Sequence, residues 1–146
     1  MAHSGNAVPN AGRNEPSISP VETIRVFYVA LERGDVATVV ELLDAALEWT
    51  EAEGFPYFGG TWRNPQAVLD GLLAPLARDW DGVSARPHSF VSEGDEVVAF
   101  GVYGGIHRAS ERALAAPFAH RWRVVGGHIA RFVQYTDTLL VERTMA

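Results

Sequence analysis

The 146-residue sequence contains no cysteine, which excludes disulfides and thiolate metal sites. It has no apolar run approaching the roughly 20 residues that span a membrane. Its first residues also lack the charged and apolar regions of a signal peptide. These absences predict a cytoplasmic protein that does not associate with membranes.

A basic patch is missing as well, since 18 acidic residues outnumber 12 basic ones and the formal net charge is −6. The densest basic set is Arg121, Arg123 and Arg131, a spacing typical of a solvated or subunit-facing side of a strand. A nucleic-acid partner is therefore not expected. The five histidines are not accompanied by clustered carboxylates, so we expect neither a metal site nor a cofactor.

The length and composition are typical of one soluble globular domain. Residues 1–19 are rich in Gly, Asn, Ser and Pro without periodicity, which predicts a disordered tail, and residues 20–146 are assigned to a single domain. Helical spacing predicts a first helix to Arg33, with Ser19 as its cap and Gly34 at its end. Asp35 would cap a second helix whose apolar face includes Leu43.

The rest of the chain predicts one more helix and mostly strands. Residues 47–51 alternate as a short strand does, and Asn64-Pro65 opens a helix to about residue 77, which Pro75 would kink or end. Period-two patterns then predict four strands at 83–92, 95–107, 112–125 and 128–137, joined by hairpins. Helices followed by an antiparallel meander indicate an α+β fold.

The two long C-terminal strands predict how the sheet is buried. Phe118, His120 and Trp122 share one phase and should face the helices. In residues 128–137 both phases contain bulky apolar residues, which favours a sheet covered on both faces. A homodimer through the outer face is the simplest arrangement that covers it.

Several strings resemble SnoaL-like proteins of the nuclear-transport-factor-2-like superfamily, which includes ketosteroid isomerase, polyketide cyclases and limonene epoxide hydrolase. These strings are VETIRVFYVALERGD at residues 21–35, EWTE at 48–51, GTWR at 60–63 and QYTD at 134–137. The resemblance implies a cone-shaped, curved mixed or antiparallel sheet around three N-terminal helices, a cystatin-like α+β barrel. It also implies an apolar, ligand-sized pocket inside the cone.

The resemblance implies roles for particular residues. Glu51 lies nine residues before Gly60, as the general base of ketosteroid isomerase does before its glycine turn. Phe27 and His120 fall where that enzyme has its Tyr and protonated Asp donors, a worked example of a tuned oxyanion hole. His120 and Gln134 have the spacing of the His and Asp of polyketide cyclases, although an amide cannot exchange a proton near neutral pH. The Asp-Arg-Asp set of the epoxide hydrolase is not matched, because Gln134 replaces one Asp and His120 replaces the other.

Glu51 and His120 each have a structural alternative, while Gln134 would orient His120 or bind a ligand oxygen. Glu51 is either a base whose pKa burial raises, or a carboxylate at the rim in water beside Glu53. His120 either polarises a carbonyl or shuttles a proton with Glu51, or it is a core histidine bonded to Gln134 or Tyr103. Asp137 is predicted to cap a neighbouring loop or helix.

A set of mainly aromatic residues is predicted to bind the ligand, with simple core packing as the alternative. The set is Phe27, Trp49, Tyr57, Phe58, Trp62, Tyr103, His107, Trp122 and Phe132. The predicted function is an isomerase or cyclase that removes a proton next to a carbonyl of an apolar small molecule, with Glu51, His120 and Gln134 as catalytic residues. The alternative is a non-catalytic ligand-binding or dimeric interaction module of the same fold.

Overall fold

The computed structural model describes residues 18–146, so nearly all of the tail predicted at residues 1–19 lies outside the described residues. The elements are α1 (Pro20–Arg33), α2 (Val36–Leu42), β1 (Leu43–Thr50), β2 (Thr61–Trp62), α3 (Pro65–Val68), a π-helical turn (Leu69–Leu73), α4 (Ala74–Asp79), β3 (Trp80–Glu93), β4 (Glu96–His107), β5 (Ala113–Val125), β6 (His128–Thr136) and α5 (Thr138–Met145).

Helix α1 begins and ends at the predicted residues. The Ser19 hydroxyl accepts a hydrogen bond from the Glu22 N–H at 3.2 Å, which satisfies a free donor of the first turn. Gly34 ends α1 in the left-handed region, with φ at 68°, where a side chain would be strained. Leu43, predicted to lie on the second helix, instead begins β1, because α2 ends at Leu42.

The sheet has six strands in the order β2-β1-β6-β5-β4-β3. Strand β1 runs parallel to β6, and the remaining neighbours are antiparallel. The sheet curves around the helices without closing, and the meander β3 to β6 confirms the predicted α+β fold. The observed arrangement is therefore an open curved sheet and not a closed barrel.

A bulge explains how Ile129 and Phe132, which belong to opposite phases of the β6 sequence, lie on the same face of the sheet. Its register with β5 shifts between Arg123 and Val124, so the side chains change phase near Ala130. Ile129 and Phe132, three positions apart, are consequently both buried against the helices. The sequence pattern counted Ile129 among the residues of a covered outer face. In the structure Ile129 lies on the inner face, so it does not support that prediction.

The predicted third helix is divided into α3, the π-helical turn and α4. The Asn64 side chain caps α3 by accepting from the Ala67 N–H at 2.8 Å. Gly71 in the π-helical turn approaches the Trp62 indole so closely that a Cβ there would lie 2.7 Å from Nε1. Pro75 lies in the first turn of α4, which agrees with the predicted interruption.

A fifth helix, α5, follows the sheet and is absent from the sequence-based prediction. The Asp137 carboxylate caps it by accepting from the Leu140 N–H at 3.0 Å. This bond confirms the predicted role of Asp137 as a cap. Val141 of α5 is buried and closes part of the space between the helices and the sheet.

Candidate functional site

A cavity of about 670 Å³ lies between the concave face of the sheet and the helices. Its size is in the range of pockets that bind small molecules. Its wall is mostly apolar, and the polar side chains on it include Glu51, Tyr103, His120 and Gln134. The sheet brings these four together from β1, β4, β5 and β6, and His120 lies directly across from Gln134 in the antiparallel register.

Glu51 follows β1 and turns into the cavity on the same side as Trp49. Its side chain is only 3% exposed. The Trp49 indole N–H donates to Glu51 Oε1 at 2.7 Å, and Oε2 has no hydrogen-bond partner among the described residues. Burial raises the pKa of Glu51 to about 7, while the bond from Trp49 acts in the opposite direction. The site therefore holds a carboxyl group that can exchange a proton near neutral pH.

His120 is bonded at both ring nitrogens. Nδ1 lies 2.6 Å from the Tyr28 hydroxyl, and Nε2 contacts the Tyr103 hydroxyl. Trp122 donates its indole N–H to Tyr28 at 3.1 Å. Burial holds the pKa of His120 well below its usual range, so the ring is neutral at pH 7.

Gln134 joins the backbone beside Glu51 to this chain of hydrogen bonds. Its Oε1 accepts from the Ala52 N–H at 3.0 Å, and its Nε2 donates to the Tyr103 hydroxyl at 3.0 Å. Because Ala52 follows Glu51, the Gln134 amide links the backbone next to Glu51 to Tyr103. The Gln134 side chain thereby has partners for both its oxygen and its nitrogen.

Six of the nine predicted ligand-binding residues line the cavity, as do all three predicted catalytic residues. The six are Phe27, Trp49, Tyr57, Tyr103, Trp122 and Phe132. The other three lie outside the lining. The loop turns Phe58 outwards, 59% exposed and against Trp62, while His107 bonds Ser110 and packs on Trp80.

The main residue that sequence reasoning missed is Tyr28. The comparison with ketosteroid isomerase placed Phe27 at the donor position and implied that a hydroxyl donor is lost. In the structure the next residue, Tyr28, lines the cavity and its hydroxyl is bonded to His120 Nδ1. Its position on the apolar face of α1 was the available signal, because a buried tyrosine hydroxyl needs a hydrogen-bond partner.

The part of the chain that the structure describes, residues 18–146, holds no group of three or more His, Cys, Asp or Glu side chains placed to bind a metal ion. Within the same residues, no helix is long and apolar enough to cross a membrane.

The sequence matches the family model of the SnoaL-like domain over residues 24–132. An NTF2-like protein from Burkholderia thailandensis is similar at 34% identity, with a TM-score of 0.84, over 88% of this chain and 98% of that one. TerC, co-crystallised with polyporic acid, is 24% identical with a TM-score of 0.77, over 87% and 98% of the two chains.

A further solved structure with the same fold is IdmH from Streptomyces antibioticus, described as a putative polyketide cyclase. It is 20% identical with a TM-score of 0.75, over 88% of this chain and 99% of that one. No protein with a curated description matches the sequence.

Proposed function

Since the chain belongs to the SnoaL-like domain family, whose fold encloses a pocket here, we propose that it is an isomerase or cyclase. It would remove a proton next to a carbonyl group of an apolar small molecule. The observation that carries the proposal is Glu51, a buried carboxyl in an apolar cavity. Burial raises its pKa to about 7, and its Oε2 has no hydrogen-bond partner among residues 18–146.

In the proposed reaction, Glu51 Oε2 takes the proton from the carbon next to the carbonyl. The electrons of the broken C–H bond move to the carbonyl oxygen, which becomes an enolate. A hydrogen-bond donor fixed in the cavity lowers the energy of that charge more than water does. His120 and Gln134 act through Tyr103, because neither ring nitrogen nor the amide is free of a partner.

The mostly apolar wall of the cavity favours an apolar ligand that carries one polar group. Aromatic side chains surround Glu51 and His120, and the rings of Trp49 and Phe132 stack with centroids 3.9 Å apart. A flat ring system fits such walls by stacking and edge contacts. The polyporic acid of the TerC structure and the description of IdmH make polyketide-like compounds the first ligands to test.

The experiment is deuterium exchange into a panel of apolar cyclic ketones, followed by mass spectrometry. We expect wild-type protein to speed the exchange of the hydrogens next to the carbonyl, and Glu51→Gln to lower that rate about 10²- to 10⁴-fold. Glu53→Gln is the matched control, because the same change is made two positions away on an exposed side chain. Equal rates for wild type and Glu51→Gln would rule out Glu51 as the base.

A non-catalytic ligand-binding module is the second candidate. It is favoured by His120, whose two nitrogens are both occupied and which therefore has no free lone pair or N–H for a substrate. This candidate predicts no exchange with any ketone. It also predicts ligand binding that survives Glu51→Gln and fails in Trp122→Ala, which removes a wall of the cavity.

We further propose a homodimer through the convex face of the sheet. Phe100 and Val102 of β4 and Tyr135 of β6 are 39%, 42% and 54% exposed on that face. Phe100, Ala119 and Tyr135 lie side by side across three strands, so the apolar surface is continuous. A cytoplasmic location remains a prediction from the sequence.

A further inference from the structure

The directions of several hydrogen bonds around His120 are fixed by chemistry. The Trp122 indole nitrogen can only donate, so the Tyr28 oxygen accepts from it at 3.1 Å. The Ala52 N–H can also only donate, which orients the Gln134 amide with its oxygen toward Ala52. The Gln134 nitrogen must then donate to the Tyr103 oxygen. Each tyrosine oxygen therefore accepts one bond from a fixed donor.

A proton count follows for the three groups in the middle. A neutral imidazole has one N–H and one lone pair, and His120 lies between the hydroxyls of Tyr28 and Tyr103. One tyrosine therefore donates to the ring, and the other accepts from it. The accepting tyrosine then holds two accepted bonds, and its own proton has no partner among the described residues. Among the described residues, one tyrosine hydroxyl proton in this chain of bonds is therefore left without an acceptor.

The surroundings of the two tyrosines differ in a way that locates the spare proton. Tyr28 is packed among the rings of Phe27, Phe118 and Trp122, which offer no strong acceptor. Both tyrosines line the cavity, but Tyr28 is only 5% exposed, whereas Tyr103 is half-buried and lies within the electrostatic influence of Glu51. The negative charge of an ionised Glu51 favours an O–H directed into the cavity from Tyr103. When the Tyr103 proton points into the cavity, the Tyr103 oxygen accepts from the ring, which puts the ring proton on Nε2.

We propose that Tyr103 is the residue that donates a hydrogen bond to the ligand oxygen, and that His120 frees this hydroxyl by holding its own proton on Nε2. Tyr28 then donates to Nδ1 and acts as a positioning residue. The identity of the ligand oxygen rests on the proposed function, while the arrangement of protons does not.

Tyr103 is in this account a donor and not an acid. Burial raises the pKa of its hydroxyl well above the usual value, so the O–H bond stays intact. In the exchange step the carbon proton moves to Glu51, and the enolate oxygen receives a hydrogen bond from Tyr103 without taking its proton. Glu51 exchanges that proton for a solvent deuteron and delivers the deuteron to carbon, so the carboxylate and the Tyr103 hydroxyl end as they began.

The proton arrangement is measured without a ligand. Protein with ¹⁵N-labelled histidine at pH 8 gives two-bond ¹H–¹⁵N spectra that distinguish the Nε2–H, Nδ1–H and doubly protonated rings. The His120 signal is assigned by its loss in His120→Asn or, if that variant does not fold, by elimination with His→Gln changes at His3, His88, His107 and His128. We expect the Nε2–H form, and either other form would overturn the inference.

The donor is identified with 9-fluorenone, a flat apolar ketone that has no hydrogen next to its carbonyl and cannot react. Its infrared carbonyl band should shift to lower frequency when it binds. We expect Tyr103→Phe to bind the probe with that shift lost, and Tyr135→Phe, the same change on the outer face, to keep it. A shift retained in Tyr103→Phe would overturn the assignment.

The two measurements separate this inference from the proposed function. An Nε2–H ring and a carbonyl shift that depends on Tyr103 would stand even if no ketone exchanged its protons. Exchange that depends on Glu51 would stand even if the donor were another group. If fluorenone did not bind, the tautomer of His120 alone would decide.

Discussion

At the scale of single residues, the burial of Glu51 makes stability depend on pH. Its pKa is about 7 in the folded protein against 4.5 as the ordinary value, so the folded state binds more protons between those pH values. The free energy of unfolding therefore falls as pH rises through this window, by about 3 kcal/mol at 1.36 kcal/mol per pKa unit. Glu51→Gln should remove this loss.

Urea denaturation at pH 4.5 and pH 8 checks this prediction. Wild type should lose about 3 kcal/mol more than Glu51→Gln across the interval. Glu53→Gln, which leaves the buried carboxyl in place, should behave as wild type does. Parallel losses in wild type and Glu51→Gln would mean that Glu51 titrates normally.

The Trp49 indole influences the pKa of Glu51, the proposed base. Its N–H bond to Glu51 Oε1 lowers a pKa that burial raises. Trp49→Phe keeps an aromatic ring but removes the donor, so we expect the pKa of Glu51 to rise above 7. In a pH profile of ketone deuterium exchange, the midpoint should move to higher pH. An unmoved midpoint would show that the indole bond has no influence on the base.

At the scale of elements, α5 depends on one cap. Asp137→Ala removes the carboxylate that accepts from the Leu140 N–H, and we expect a loss of about 1 kcal/mol of stability. Since Val141 of α5 lines the cavity, the variant should also bind 9-fluorenone more weakly. Glu142→Ala on the same helix is exposed and serves as the control. Equal stability of the two variants, measured by urea denaturation, would contradict the role of the cap.

Elements with local signals were predictable, and elements set by tertiary contacts were not. Ser19, Gly34 and Asn64 act through neighbours within four residues, so their roles follow from the sequence. The π-helical turn and the bulge in β6 have no such signal, because they accommodate packing between distant segments, such as Gly71 on Trp62. The bulge in turn decides which face Ile129 occupies.

The same distinction applies to the site. Glu51, His120 and Gln134 were predictable because their spacing resembles that of a family with known chemistry. The partners of His120 were not, since Tyr28 and Tyr103 are 92 and 17 positions away in the sequence. Phe58 and Trp62 looked like pocket residues from their place in an aromatic loop, but the positive φ of Phe58, 71°, turns its ring to the outside.

At the scale of the whole molecule, the exposed apolar residues on the convex face of the sheet predict a homodimer. Val102→Arg places a charge in the centre of the exposed apolar surface of β4, where a dimer would have to bury it. We expect wild type to sediment as a dimer in analytical ultracentrifugation and the variant as a monomer. Val29 lies on the exposed side of helix α1, so the Val29→Arg variant, which carries an equal change, should remain dimeric. A monomeric wild type would leave this face without the proposed partner.

The proposed chemistry depends on one carboxyl group, that of Glu51, which can exchange a proton inside an apolar cavity. The most direct measurement is the titration of the Glu51 side-chain carbon by ¹³C NMR, assigned by its loss in Glu51→Gln. We predict a pKa of about 7. A value near 4.5, the ordinary one, would show that water reaches the carboxylate, and would contradict the proposal that Glu51 is a base tuned by burial.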